Sequence, residues 1–276
     1  MIKDVMVRLD GTSADDVRLA AVNLIADIFD SHITGLFFNV MPPVVPDGFN
    51  GVGANQAIEV LDTARRAGNV IESALFEHLA QLPHPANLRR FDVTDDNDAS
   101  DTALQMARAA DTFVALRPNG RASEPEGLVE NLLFGAGRHL FLVPDELKAI
   151  VPFENVVVAW NGSREAARAV SEALPYLRKA DVVSIVIVDD GEPVEDQAAL
   201  GEDLVEHLLH HGIGAAVHHV IKDGQIGSTL IAESKRLKPD LIVMGGYGHS
   251  RLREWLLGGA TYEMLHHAPA PLLIAH

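Results

Sequence analysis

The chain has 276 residues, with 22 Lys plus Arg against 39 Asp plus Glu; its net charge of −17 argues against nucleic-acid binding by counterion release and against an anionic membrane surface. It has no cysteine, which excludes disulfides, thiolate metal sites and cysteine nucleophiles. At roughly 100–200 residues per domain the length predicts two domains or one large one, and 47% apolar with 22% charged residues is ordinary globular usage.

The opening MIKDVMVRLDG carries Asp4 and Asp10 and lacks the apolar core of a secretion signal. No run of about eighteen apolar residues follows anywhere, so a cytoplasmic protein is expected. In chain order the first half reads as strands near 2–9, 32–40, 87–93, 111–116 and 139–144, with a helix after the first strand. PPVVPDGFNGVG at 42–53 reads as a mobile Pro/Gly-rich loop. The second half reads as strands near 154–160, 181–189, 214–221, 240–244 and 271–275, with helices near 163–178, 194–211, 225–237 and 259–268.

The halves repeat each other. VVVAWNGSREAARAVSEAL at 156–174 answers the opening VMVRLDGTSADDVRLAAVNL, with Asp10, Gly11 and Thr12 against Asn161, Gly162 and Ser163. DTFVAL from Asp111 matches DLIVMG from Asp240, and HLFLVP from His139 matches PLLIAH from Pro271. The chain therefore reads as a tandem duplication, residues 1–145 and 154–276, joined by DELKAIVPF at 145–153. Apolar strands alternating with helices predict an α/β fold of two tandem, doubly wound, mostly parallel five-stranded sheets.

Ligands in such sheets bind beyond the carboxyl ends of the strands, where strand order reverses. In the second half the segment there is MGGYGHSRLREWLLGGAT, Met244 to Thr261, spaced G-x2-G-x9-G at Gly245, Gly248 and Gly258. Glycines after a strand let backbone approach a ligand, and a helix start favours phosphate. His249, Arg251 and Arg253 add positive charge. The Walker P-loop, the dinucleotide fingerprint, G-x-S-x-G and H-E-x-x-H are all absent. Glycines that merely punctuate a strand–loop–helix connection are the plain alternative.

This spacing after DLIVMG, closing in HAPAPLLIAH, resembles the universal stress protein family, and the likeness extends over both halves as a tandem, two-domain member. The resemblance implies a Rossmann-like fold, of the adenine nucleotide alpha hydrolase-like kind, whose glycine loop wraps the phosphates and ribose of ATP or another adenine nucleotide. It implies that Gly245, Gly248, Gly258, Gly259, Ala260 and Thr261 form the phosphate loop, that Met244, Tyr247 and His249 line it, and that Asn161 and Val188 flank the base. Two positions depart from the family pattern. Gly259 stands where Ser or Thr offers a hydroxyl, and Asn161 stands where the family has Asp. In the first half Leu116-Arg117-Pro118-Asn119 replaces Gly-x2-Gly, so that copy reads as structural or regulatory.

His207 and His211, one helical turn apart, precede His218 and His219 on the next strand. They read either as a zinc clamp or as a polar helix face near its C-terminus. Asp95-Asp96 and Asp189-Asp190 read as solvated strand ends, and Trp160 and Trp255 as ligand walls or core. Three functions follow. The first is a non-catalytic stress-response module with a weak adenine-nucleotide site, acting through conformation or an unknown protein partner. The second is a slow ATPase or nucleotidyl enzyme using magnesium with the nucleotide, and the third a dimeric scaffold without nucleotide. The closing strands 140–144 and 272–276 are expected to pair the two units, and a homo-oligomer is expected from the family.

Overall fold

A computed structural model gives the fold, describing residues 1–43, 53–118, 124–125, 127–144, 151–189, 191, 197–248 and 259–276. The first half runs β1 (Asp4–Leu9), α1 (Ala14–Phe29), β2 (His32–Val40), α2 (Ala54–Ala80), β3 (Ala86–Val93), α3 (Asp96–Ala107), β4 (Thr112–Leu116), α4 (Leu128–Gly135) and β5 (Leu140–Val143). The second runs β6 (Asn155–Ala159), α5 (Arg164–Leu177), β7 (Val182–Asp189), α6 (Gln197–His210), β8 (Ala216–Ile221), α7 (Ile226–Leu237), β9 (Leu241–Gly245), α8 (Ala260–His267) and β10 (Leu272–Ala275). Every expected strand is present, its ends shifted by a residue or two. Of the loop expected at 42–53, residues 44–52 lie outside the described residues.

The α/β class is as expected, and so is the meeting of the two five-stranded arrays along their closing strands. They form a single ten-stranded sheet, ordered β3-β2-β1-β4-β5-β10-β9-β6-β7-β8. Every pair is parallel except β5–β10, which run antiparallel with Leu142 opposite Leu272, Phe141 opposite Leu273 and Leu140 opposite Ile274. Their pairing satisfies backbone groups that would otherwise form two open edges.

The sheet is covered on both faces, which is why its strands are nearly all apolar. One face carries α1, α2, α5 and α6 over a core that includes Val7, Leu9, Ile25, Leu75, Ala169 and Leu208. The other carries α3, α4, α7 and α8 over Ala103, Leu132, Ile231 and Met264. Over the seam on the first face, Phe29 and Phe153 stand edge-on to Tyr176 with ring centroids 5.0 and 5.5 Å away, and Phe141 lies 5.5 Å from Phe153.

The same seam holds a polar group. His139, 2% exposed, meets Glu172 of α5 through its amide at 2.5 Å and its Nδ1 at 3.0 Å, while Arg168 Nε binds the second carboxylate oxygen at 2.7 Å. Burial pushes the Glu172 carboxyl up, but the His139 and Arg168 bonds outweigh it and hold the group below its ordinary range. On the opposite face Arg117 is buried and donates through Nη1 to the Ala268 carbonyl at 2.6 Å, tying β4 of one half to the end of α8 in the other.

Candidate functional site

In the second half β6 leads to α5 on one face, while β9, its neighbour, leads toward α8 on the other. The chain therefore parts between the carboxyl ends of β6 and β9, where ligands lodge in such sheets. The turn after β6 is built locally. Asn161 Oδ1 accepts the Ser163 amide at 3.1 Å, Gly162 takes a φ of 69°, and Ser163 Oγ caps α5 by accepting the Ala166 amide at 3.2 Å. Asn161 is exposed, facing the space beyond the strands.

Gly245 ends β9, and its neighbourhood explains the residue. A Cβ there would lie 2.4 Å from the Ala166 nitrogen and 2.5 Å from the Glu165 carbonyl carbon, so the first turn of α5 rests on bare strand backbone. At Gly246 a Cβ would press on Ile274 at 2.8 Å and Leu133 at 3.1 Å. Tyr247 adopts the left-handed conformation at φ 56°, unusual for a residue with a side chain. Its amide donates to Thr261 Oγ1 at 3.0 Å, and its ring packs 5.2 Å from Phe134. His276 braces the same turn, Nδ1 lying 2.9 Å from the Gly246 carbonyl.

Gly248 is different: the nearest atom to a Cβ would be Glu165 Oε2 at 2.8 Å, the end of a side chain. Glu165 and Arg164 escaped the sequence reading, although they follow the matched Asn161-Gly162-Ser163 turn directly. Arg164 is exposed at this pole and grips Glu165 Oε1 through Nη2 at 2.7 Å and Nε at 3.0 Å. Burial raises the Glu165 carboxyl, but its own amide and Arg164 prevail and hold it below its usual range. The pole thus presents a cation and a covered carboxylate side by side.

The remaining expected residues separate by role. Met244 buries its side chain in the second-face core, leaving its backbone at the site. Val188, Tyr247 and Ala159 are partly buried on that core, forming an apolar shelf at the strand ends. Gly259 is the N-cap of α8, with no side-chain cap, and Thr261 is buried beneath Tyr247. Ala260 meets α7, its Cα 3.1 Å from where a Cβ on Gly227 would stand. His249 and Gly258, with Arg251, Arg253 and Trp255, lie outside the described residues.

The described histidines do not gather into a metal-holding group. His207 and His211 stack edge-on at 4.8 Å, and Arg178 Nη2 lies 3.1 Å from His211 Nδ1. Among the described residues no group of three or more His, Asp or Glu is placed to hold an ion. Asp95 caps α3 through the Asp98 amide at 2.9 Å, and Trp160 Nε1 is spent on the Leu200 carbonyl at 3.1 Å. A cleft of about 340 Å³ lined by Asp4, His32, Thr34, Asn87 and Arg89 opens at the opposite ends of β1–β3 and includes none of the expected residues. No described helix is long and apolar enough to cross a membrane.

Comparison with known proteins bears on residues 152–276, which match the model of the universal stress protein family. A universal stress protein of Methanocaldococcus jannaschii is 24% identical over 138 residues, covering 44% of this chain and 81% of that protein. The crystal structure of a universal stress protein from Archaeoglobus fulgidus superposes with a TM-score of 0.75 at 16% identity, over 99% of this chain and 97% of that one. A protein of unknown function from Pseudomonas aeruginosa gives 0.62 at 14% identity, over 99% and 92%. The two structures show a shared fold over the whole length.

Proposed function

We propose, for a chain whose residues 152–276 belong to the universal stress protein family, that it is a non-catalytic, cytoplasmic stress-response module holding one adenine nucleotide weakly in its second half. It works through conformation or a protein partner. The two units are 1–145 and 154–276, and only the second carries the ligand. The observation that carries this reading is the turn at Tyr247, held in a left-handed conformation by Thr261 and braced by His276. Strain of this kind is maintained where backbone must face a ligand. The shelf of Val188 and Ala159 suits an adenine ring, and Arg164 suits phosphate. The Glu165 carboxylate beside Gly248 opposes phosphate, which accounts for weak rather than tight binding.

A second reading, a scaffold without nucleotide, draws on Gly245 and Gly246, whose packing alone requires glycine. Calorimetric titration with ATP separates the two. We expect one site per chain, abolished by Gly248→Val, which puts a branched side chain into the loop. A stoichiometry near two, or binding unchanged by that substitution, rejects the assignment. No binding at millimolar ATP leaves the scaffold, whereas Mg²⁺-dependent phosphate release replaces the module with a slow hydrolase.

A further inference from the structure

The first half has lost the glycine loop, yet side chains fill the equivalent pole between β1 and β4. Arg18, 0% exposed, places Nε and Nη2 each 3.0 Å from Glu124 Oε1 and Nη1 2.8 Å from Asp15 Oδ1. Arg8 Nη1 lies 3.1 Å from Glu124 Oε2 and 3.0 Å from Asp10 Oδ2. The Leu116 amide, at the very end of β4, donates to Glu124 Oε1 at 2.9 Å. Asp15 in turn accepts the amides of Asp10 and Gly11 at 3.1 and 2.7 Å.

Two guanidiniums and a strand-end amide converging on one carboxylate are the donors with which proteins recognise carboxylates and phosphates. Here the carboxylate comes from the connection after β4, the same connection that carries the glycine loop in the second half. The fold does not need these charges, because the repeat puts Ala159, Ala169 and Gly245 where the first half has Arg8, Arg18 and Leu116. Nor is stability a sufficient reason, since a buried ion network is often no better than well-packed apolar residues.

We propose that the pole of the first half is an anion-recognition site whose occupant is the chain's own Glu124. Among the described residues the filled cluster sets three carboxylates, those of Asp10, Asp15 and Glu124, against two guanidiniums, an arrangement that turns away a second anion, nucleotide included. Removing the Glu124 side chain leaves donors facing a space of carboxylate size, which a small external anion fills. This stands independently of any nucleotide in the second half.

The test is thermal unfolding of Glu124→Ala in sodium chloride and in sodium formate at equal ionic strength and neutral pH. In chloride the variant should melt roughly 5–15 °C below wild type, as expected for breaking a buried ion network in a chain of this size. Formate should restore at least half of that loss with a saturating dependence. Inorganic phosphate, run beside it, decides whether the donors take a tetrahedral anion as well as a planar carboxylate. Wild type and Glu124→Gln, in which the space stays filled, should show no formate response. If Glu124→Ala does not fold in chloride, its refolding yield is read instead, and recovery only in formate counts the same way. A variant as stable as wild type, or one equally impaired in both salts, overturns the proposal.

Discussion

Replacing Gly245 by alanine separates what the glycine spacing does for the fold from what it does for a ligand. The new Cβ would stand 2.4 Å from the Ala166 nitrogen and 2.5 Å from the Glu165 carbonyl carbon. Non-bonded atoms rest best at about 3.5–4.0 Å, so the overlap exceeds roughly 1 Å. Both obstructing atoms are backbone, so no rotamer change relieves it and β9 must part from α5. Overpacking of this kind costs about 1–3 kcal/mol, and backbone obstruction puts it at the upper end. The alanine's smaller unfolded-state entropy returns only about 0.4–1 kcal/mol. At about 2–4 °C per kcal/mol, the net loss should lower the melting temperature of nucleotide-free protein by roughly 4–10 °C. Gly248→Ala is the control: among the described residues its Cβ would press on the end of Glu165, 2.8 Å away, a carboxylate that can swing aside, and would meet Ser163 Cβ at an ordinary 3.7 Å. It should cost less than about 1 kcal/mol. Calorimetry or urea titration of both variants decides. A Gly245→Ala protein melting within about 2 °C of wild type, or a Gly248→Ala protein falling equally far, refutes the packing argument.

Gly259 caps α8 at φ −59° and ψ 162° without a side chain, a conformation serine adopts readily. The hydroxyl of Gly259→Ser can accept a first-turn amide and donate its own proton to phosphate. A hydrogen bond to a charged oxygen is worth about 1.5–3 kcal/mol, so ATP should bind roughly ten- to a hundredfold more tightly in calorimetry; a higher melting temperature with unchanged affinity would show that the serine acts as a cap only. Glu172, held below its ordinary pKa by His139 and Arg168, contributes stability that is present above about pH 4 and lost as pH falls through its lowered value. Glu172→Gln should therefore cost about 1.5–3 kcal/mol near neutrality by urea denaturation, with the gap to wild type narrowing below about pH 4; a gap that stays constant with pH would mean the charge is not what matters.

Strand positions were legible because a strand buried on both faces must be an apolar run, and runs such as VVSIVIV and LIVMG have hardly another reading. The repeat located the seam for the same reason, since HLFLVP and PLLIAH are the closing strands of the two copies. The long α2 is hard to delineate from sequence, because most of its residues are exposed and the stripe it buries, through Leu61, Ala64, Gly68, Ile71, Leu75 and Leu79, is narrow and in its first half made largely of small residues. The glycine spacing was visible but its causes were not: that Gly245 bears the first turn of α5 depends on how a helix docks on a strand some eighty positions away. Glu124 gave no local signal, for its partners Arg8 and Arg18 are more than a hundred residues distant. A fully buried arginine runs against the default expectation for that residue. His139 and Glu172, from opposite sides of the seam, could be paired only once the sheet was continuous.

The antiparallel join of β5 to β10 makes the association of the two halves a unimolecular event. Between separate subunits the same contact would obey mass action and weaken on dilution; along one chain it is held at the high effective concentration that covalent connection provides. The joined halves are also released from symmetry, because a contact between two different sequences need not be self-complementary as a two-fold interface must be. Arg117 shows the result: its counterpart in the repeat is Gly246, so the reach to the Ala268 carbonyl occurs once and has no mirror image. One pole could keep its glycines while the other filled with charge, neither change having to suit a second copy of itself.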